Sequence, residues 1–121
     1  MKDIKQRLAL TVGEPSGIGP DLTVQLAMNE QPCQIVAVCD QNLLKRRAKH
    51  LGLALVVKSF EPENKTPANA GEIWVKHVPM STPETIGELN AANGQYVLDT
   101  LTVAAQGCLD NEFDAMVTAP V

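Results

Sequence analysis

Two hydrophobic periods take turns along the chain. Residues 7–12 (RLALTV), 34–39 (QIVAVC), 53–57 (LALVV), 72–78 (EIWVKHV) and 114–118 (DAMVT) are short and mostly apolar. Each is predicted to be a strand, and runs this continuous fit burial on both faces. Between the first two, Ile18, Leu22 and Leu26 recur every four residues, with Val24, Ala27 and Met28 widening the stripe. That predicts a helix with an inward apolar face, opened by Pro20 and by Asp21 in the first turn. Asp40 is predicted to cap a second helix carrying Leu43, Leu44, Arg47, Ala48 and Leu51 on its inner side, stopped by Gly52. A third and longer helix is predicted over 88–109, with Leu89, Ala92, Tyr96, Leu101, Ala104, Ala105 and Cys108 inward. Gly94 weakens it by about 1 kcal/mol relative to Ala and is expected to mark a bend or a close approach.

Strand–helix alternation with short connections predicts an α/β fold, a mostly parallel sheet with helices on both faces. Residues 59–71 (SFEPENKTPANAG) and 79–87 (PMSTPETIG) interrupt the rhythm, and the first is read as an exposed loop and the segment expected to be least ordered. No helix follows the strand at 114–118, so residues 1–121 are expected to be the N-terminal portion of a longer protein. Such a portion is expected to leave apolar side chains exposed where the rest would pack.

Composition narrows the function classes. Lys and Arg total 10 against 14 Asp and Glu, a net charge of -4, which argues against nucleic acid or an anionic membrane as partner. The one basic cluster, Lys45-Arg46-Arg47 with Lys49, is read as a solvated helix face. Cys33, Cys39 and Cys108 lie in or beside apolar runs and are expected to be buried free thiols in a reducing cytoplasm. No leader-like apolar stretch precedes Gly13, and no run reaches the length of a membrane span. A cytoplasmic location is expected.

The chemistry on offer is concentrated in one stretch. His50 and His77 are the only histidines and share no short ligand spacing with each other or with cysteine, so no metal site is expected within this chain. Ser16 sits in G-E-P-S-G rather than G-x-S-x-G, so no nucleophile elbow is expected and no catalytic residue is assigned. The loop of Gly13, Glu14, Ser16, Gly17, Ile18 and Gly19 follows a strand and opens a helix, where backbone N–H groups and the helix dipole can hold an anion. Its spacing matches neither G-x-G-x-x-G nor the P-loop, and Glu14 brings a negative charge. By pattern, a ligand-contacting loop and a purely structural turn both stay open. In a parallel sheet the loop at 13–19, the turn at 39–41 and residues 118–121 share the strand carboxyl edge, so Thr118 offers a hydroxyl there.

GEPSGIGPD at 13–21, followed by an apolar helix, resembles the G-[DE]-P-[AS]-G-I-G-P-[DE] opening of the 4-hydroxythreonine-4-phosphate dehydrogenase family. LNAANGQYVLDTLTVAAQGCLDNEFDA at 89–115, running into MVTAPV at 116–121, resembles that family's later helix and T-[AG]-P strand end. The resemblance implies an isocitrate/isopropylmalate dehydrogenase-like fold, here incomplete, within a two-lobed enzyme of about 330 residues. It implies oxidation of a phosphorylated hydroxy-amino acid by NAD or NADP, then decarboxylation, on the route to pyridoxal phosphate. It also implies a divalent metal (Zn, Mg or Co) held by histidines from both subunits of a homodimer. Those histidines, the phosphate-binding residues and the lysine that follows T-[AG]-P in the family lie beyond Val121, so none of these roles passes to His50 or His77. The chain alone is expected to be inactive. A paralogue acting on threonate or erythronate phosphate, and a non-catalytic α/β binding module, are the rival readings.

Overall fold

The computed structural model describes residues 6–120, and their strands form one five-stranded sheet. The elements in order are β1 (Arg7–Thr11), α1 (Gly19–Ala27), β2 (Gln34–Cys39), α2 (Gln41–Leu51), β3 (Val56–Ser59), β4 (Glu72–His77), α3 (Gly94–Leu109) and β5 (Ala115–Thr118), with a 3-10 turn over Ala91–Asn93 ahead of α3. Spatial order is β3-β4-β2-β1-β5, and every pairing is parallel. The predicted fold class therefore holds. Side chains alternate across the central strands: Ala9, Val36, Val38 and Trp74 pack toward α3, whereas Val12, Ala37, Cys39, Ile73 and Val75 pack toward α1 and α2.

Each strand lies within a few residues of its predicted place. The third is shifted to Val56–Ser59, with Leu53 and Leu55 packed against the core ahead of it. Helix phase is where expectation and structure part. In α1 the buried residues are Gly19, Pro20, Thr23, Val24 and Ala27, while Ile18, Leu22 and Leu26 are exposed. Leu22 and Leu26 instead line, with Leu10 and Val117, an open groove of about 340 Å³ beside edge strand β5. Exposed apolar side chains were expected, and here they form a continuous surface. In α3 the inward residues are Tyr96, Val97, Thr100, Ala104 and Gly107, with Asn93 buried just ahead of them. Leu89, Ala92 and Ala105, expected inside, are exposed. Asn90 caps the 3-10 turn ahead of α3, accepting from the Ala92 N–H at 2.9 Å, so the helical run opens at Ala91 and not at 88. Gly94 approaches nothing, whereas a Cβ on Gly107 would strike the Phe113 ring.

Residues 59–71 are exposed but anchored. Arg7 Nη2 donates to the carbonyls of Pro62 and Asn64 at 2.9 and 3.0 Å. Gln34 Nε2 donates to Asn64 O at 2.7 Å, and the Trp74 indole N–H to Thr66 O at 2.9 Å. Phe60 packs on Phe113 with ring centroids 5.7 Å apart. Three buried polar side chains on neighbouring strands thus stand in for a covering helix, and the expectation of a poorly ordered loop is corrected. The cysteines are free as expected, but only Cys39 is buried and Cys33 and Cys108 are half-buried.

Candidate functional site

Parallel pairing places the carboxyl ends of β1, β2, β4 and β5 on one edge, and the N-termini of α1, α2 and α3 open there. The glycine loop leaves β1 at this edge and touches the chain leaving β5. Ala119 N–H donates to Thr11 O at 2.9 Å, and Thr11 stands opposite Thr118 in the register. A Cβ at Gly13 would overlap the Pro120 carbonyl, and one at Gly19 would overlap the Val12 carbonyl and press on Ala119. Gly13 also has φ +80°, open to glycine and strained for other residues. The two motifs far apart in sequence are one packed unit in space.

Hydrogen bonding inside the loop decides what it can offer. Ser16 donates both N–H and Oγ–H to Glu14 Oε1, at 3.3 and 2.8 Å, and Gly17 N–H donates to Glu14 O at 3.0 Å. Those two amides are therefore spent within the loop. With a carboxylate folded over it, the loop does not form a pyrophosphate cradle of the P-loop kind. Gly13, Ser16 and Gly19 are buried, Glu14 and Gly17 half-buried, and Ile18 and Thr118 exposed. The exposed surface at this edge thus includes Ile18 and Thr118, with the Glu14 carboxylate half-buried beside them.

Beneath the loop lies a residue that the sequence reading placed partly among solvated charges. Arg47 is 1% exposed, and it donates from Nη1 to Gly17 O at 2.9 Å and from Nη2 to Pro15 O at 2.6 Å. Nη1 also pairs with Asp21 Oδ1 at 2.7 Å. Its place in the inward Leu43–Leu44–Arg47–Ala48 phase of α2 was the available signal. Its neighbour Arg46 does face outward, paired with Glu84 at 2.5 Å.

Further along the edge, Asp40 caps α2 by accepting from Asn42 N–H at 2.8 Å and also accepts from Met80 N–H at 2.8 Å. Its own N–H donates to the Tyr96 hydroxyl at 2.9 Å. Burial pushes the Tyr96 phenol and the Cys39 thiol above their ordinary values, so both stay protonated at neutral pH. Among the described residues the buried polar atoms without a hydrogen-bond partner are Thr11 Oγ1, Arg47 Nε and both amide atoms of Asn93. Thr11 ends β1, Arg47 underlies the loop and Asn93 precedes α3, so all of them belong to the carboxyl-edge half. Such atoms are rare in folded proteins, and their concentration marks this half of the molecule.

His77 Nδ1 accepts from Gln41 N–H at 3.1 Å, and His50 lies in the last turn of α2. No group of three or more His, Cys, Asp or Glu able to hold a metal occurs among the described residues. No helix of the described residues is long and apolar enough to cross a membrane.

A parallel α/β sheet whose polar loops and helix N-termini converge on one edge defines a protein of the class that builds ligand sites at strand carboxyl ends. Comparison with known proteins narrows the class. Residues 31–121 match the family model described as pyridoxal phosphate biosynthetic protein PdxA, so the chain belongs to that family. It is 49% identical over 116 residues to the 4-hydroxythreonine-4-phosphate dehydrogenase of Pseudoalteromonas translucida, covering 95% of this chain and 35% of that protein. It is 50% identical over 119 residues to the enzyme of the same name from Ectopseudomonas mendocina, covering 97% of this chain and 35% of that protein. The fold matches the solved 4-hydroxythreonine-4-phosphate dehydrogenase of Klebsiella pneumoniae with TM-score 0.84 and 24% identity, over 96% of this chain and 37% of that one. The chain thus spans about a third of the length of the relatives it matches.

Proposed function

We propose that this chain supplies one wall of the active-site cleft of an NAD- or NADP-dependent 4-hydroxythreonine-4-phosphate dehydrogenase, an oxidoreductase of pyridoxal phosphate biosynthesis. The observation that carries the reading is the interlock of the loop at 13–19 with residues 118–120 at the carboxyl ends of adjacent strands β1 and β5. Identity near 50% to dehydrogenases of that name supports the substrate class, a phosphorylated hydroxy-amino acid.

In this reading Gly13 and Gly19 bring backbone segments together, and Ser16 and Arg47 hold the loop's shape. Glu14, Ile18 and Thr118 face the bound molecules. A divalent metal would supply Lewis acidity and an electron sink for decarboxylation. The described residues do not compose its site, nor a complete nucleotide site, so no step is assigned to either group. Catalytic side chains, a homodimeric partner and a cytoplasmic setting belong to the protein at its relatives' full length.

The test is an assay of nicotinamide reduction with 4-hydroxythreonine 4-phosphate and a divalent metal, run on residues 1–121 and on a version of the relatives' length. Turnover by the longer version and none by the shorter is expected. Turnover by residues 1–121 alone, or none by the longer version with any hydroxy-acid phosphate, would contradict the proposal.

A further inference from the structure

We propose that Arg47 is a positioning residue for this site: it sets the backbone of the glycine loop from beneath, and through the loop places Glu14 and Ile18, without itself touching a ligand. The inference rests on the reading of that loop as cleft wall.

The hydrogen-bond pattern carries it. Every carbonyl from Glu14 to Gly19 is engaged. Glu14 O accepts from Gly17 N–H, Ser16 O from Gly87 N–H and Ile18 O from Leu22 N–H. Gly19 O accepts from Thr23 Oγ1. Pro15 O and Gly17 O, which flank Ser16, both accept from Arg47. Three of these six carbonyls are tied within the loop and α1. Arg47 alone accounts for two of the other three, from a different helix.

Only a fork-shaped donor reaches those two carbonyls and the Asp21 carboxylate from one buried position. An ion pair serving stability alone needs only Asp21. Arg47 instead spends its Nη2 bond on Pro15 and shares Nη1 with Gly17. With its carbonyls turned inward, the loop keeps a fixed outer surface. A lysine here keeps the charge beside Asp21 but loses the fork, and a methionine keeps the apolar stem and loses every donor.

The experiment compares Arg47→Met, Arg47→Lys and Leu44→Ala in the protein at its relatives' length. Leu44 is buried on the same helix and packs into the sheet core, so its truncation destabilises without touching the loop. Thermal midpoints, kcat and KM for the nicotinamide nucleotide are measured together. Arg47→Met is expected to lose about tenfold or more in kcat/KM, Arg47→Lys less, and Leu44→Ala about twofold at most despite an equal or larger drop in midpoint. A folded Arg47→Met within about twofold of wild type would overturn the inference. If Arg47→Met does not fold, Arg47→Lys decides by the same threshold. If the wild type shows no turnover, the proposed function has failed. Amide exchange of Ser16–Gly19 in Arg47→Lys against wild type then decides this inference, and unchanged protection rejects it.

Discussion

Gly13 and Gly19 illustrate what a spacing pattern conveys and what it hides. Their small size is used against the protein's own carbonyls, those of Pro120 and Val12, and not in open space. Gly13→Ala and Gly19→Ala are therefore expected to cost about 2 kcal/mol or more each, through backbone displacement and, at Gly13, a strained φ. Gly52, at φ +70° with nothing nearby, is expected to cost about 1 kcal/mol as alanine. Urea unfolding of the three variants checks the ranking, and equal losses would refute the packing account. The need for glycine was legible in the sequence. Its cause was not, because the clashing carbonyl at Pro120 lies more than a hundred positions away from Gly13 and is brought close only by the β1–β5 pairing. Arg47 was half legible: its helical phase pointed inward, while its charge and basic neighbours pointed outward. Three acceptors on the loop and α1 resolve the conflict in favour of burial.

Elements were more readable than their faces. The central strands β2 and β4 emerge from continuous apolar runs because both of their faces are covered, whereas edge strands β3 and β5 are largely exposed. Helix faces were misjudged in α1 and α3 because apolar stripes were assumed to face this chain's own core. In α1 the larger side chains line the open groove, and the sheet is met by Thr23, Val24 and Ala27. In α3 and the turn before it the inward set includes Asn93, Thr100 and Gly107, which no hydrophobicity pattern flags. Tyr96 joins α3 to the β2–α2 junction through the Asp40 N–H. Tyr96→Phe strands that buried donor and is expected to cost about 1–3 kcal/mol in chemical denaturation. The same residue sets a pH dependence. Folded-state values for Tyr96 and Cys39 are raised above their ordinary 10.0 and 9.0, so the neutral forms favour the fold. Their stabilisation is complete below those ordinary values and is lost as pH rises beyond them. Unfolding free energy should hold from neutral pH to about pH 8.5 and then fall, less steeply in Tyr96→Phe. A flat profile into strong alkali would contradict this. At the opposite end of the sheet, Gln34→Ala removes one of the side chains that anchor residues 59–71. Faster limited proteolysis at 61–66 is expected there, with cleavage elsewhere unchanged.

At the scale of the molecule, the fold is a parallel sheet whose carboxyl edge gathers the glycine loop, the end of β5, three helix N-termini and the described buried polar atoms that lack partners. Family membership follows from the match over residues 31–121, which begins after the glycine loop. The loop itself is covered by alignments to relatives spanning 95% and 97% of this chain. The resemblance read from GEPSGIGPD and MVTAPV thus agrees with a comparison that draws on the intervening sequence as well. A ligand chemistry was not legible at this edge, because the loop's spacing matches no anion-binding fingerprint and its Ser16 and Gly17 amides bond to Glu14. The most direct measurement of the cleft-wall proposal is amide hydrogen exchange across the protein at its relatives' length, with and without nicotinamide nucleotide and 4-hydroxythreonine 4-phosphate. Slowed exchange concentrated in residues 13–21 and 116–120 is the predicted result. Ligand-dependent protection that leaves both segments unchanged while turnover proceeds would contradict it.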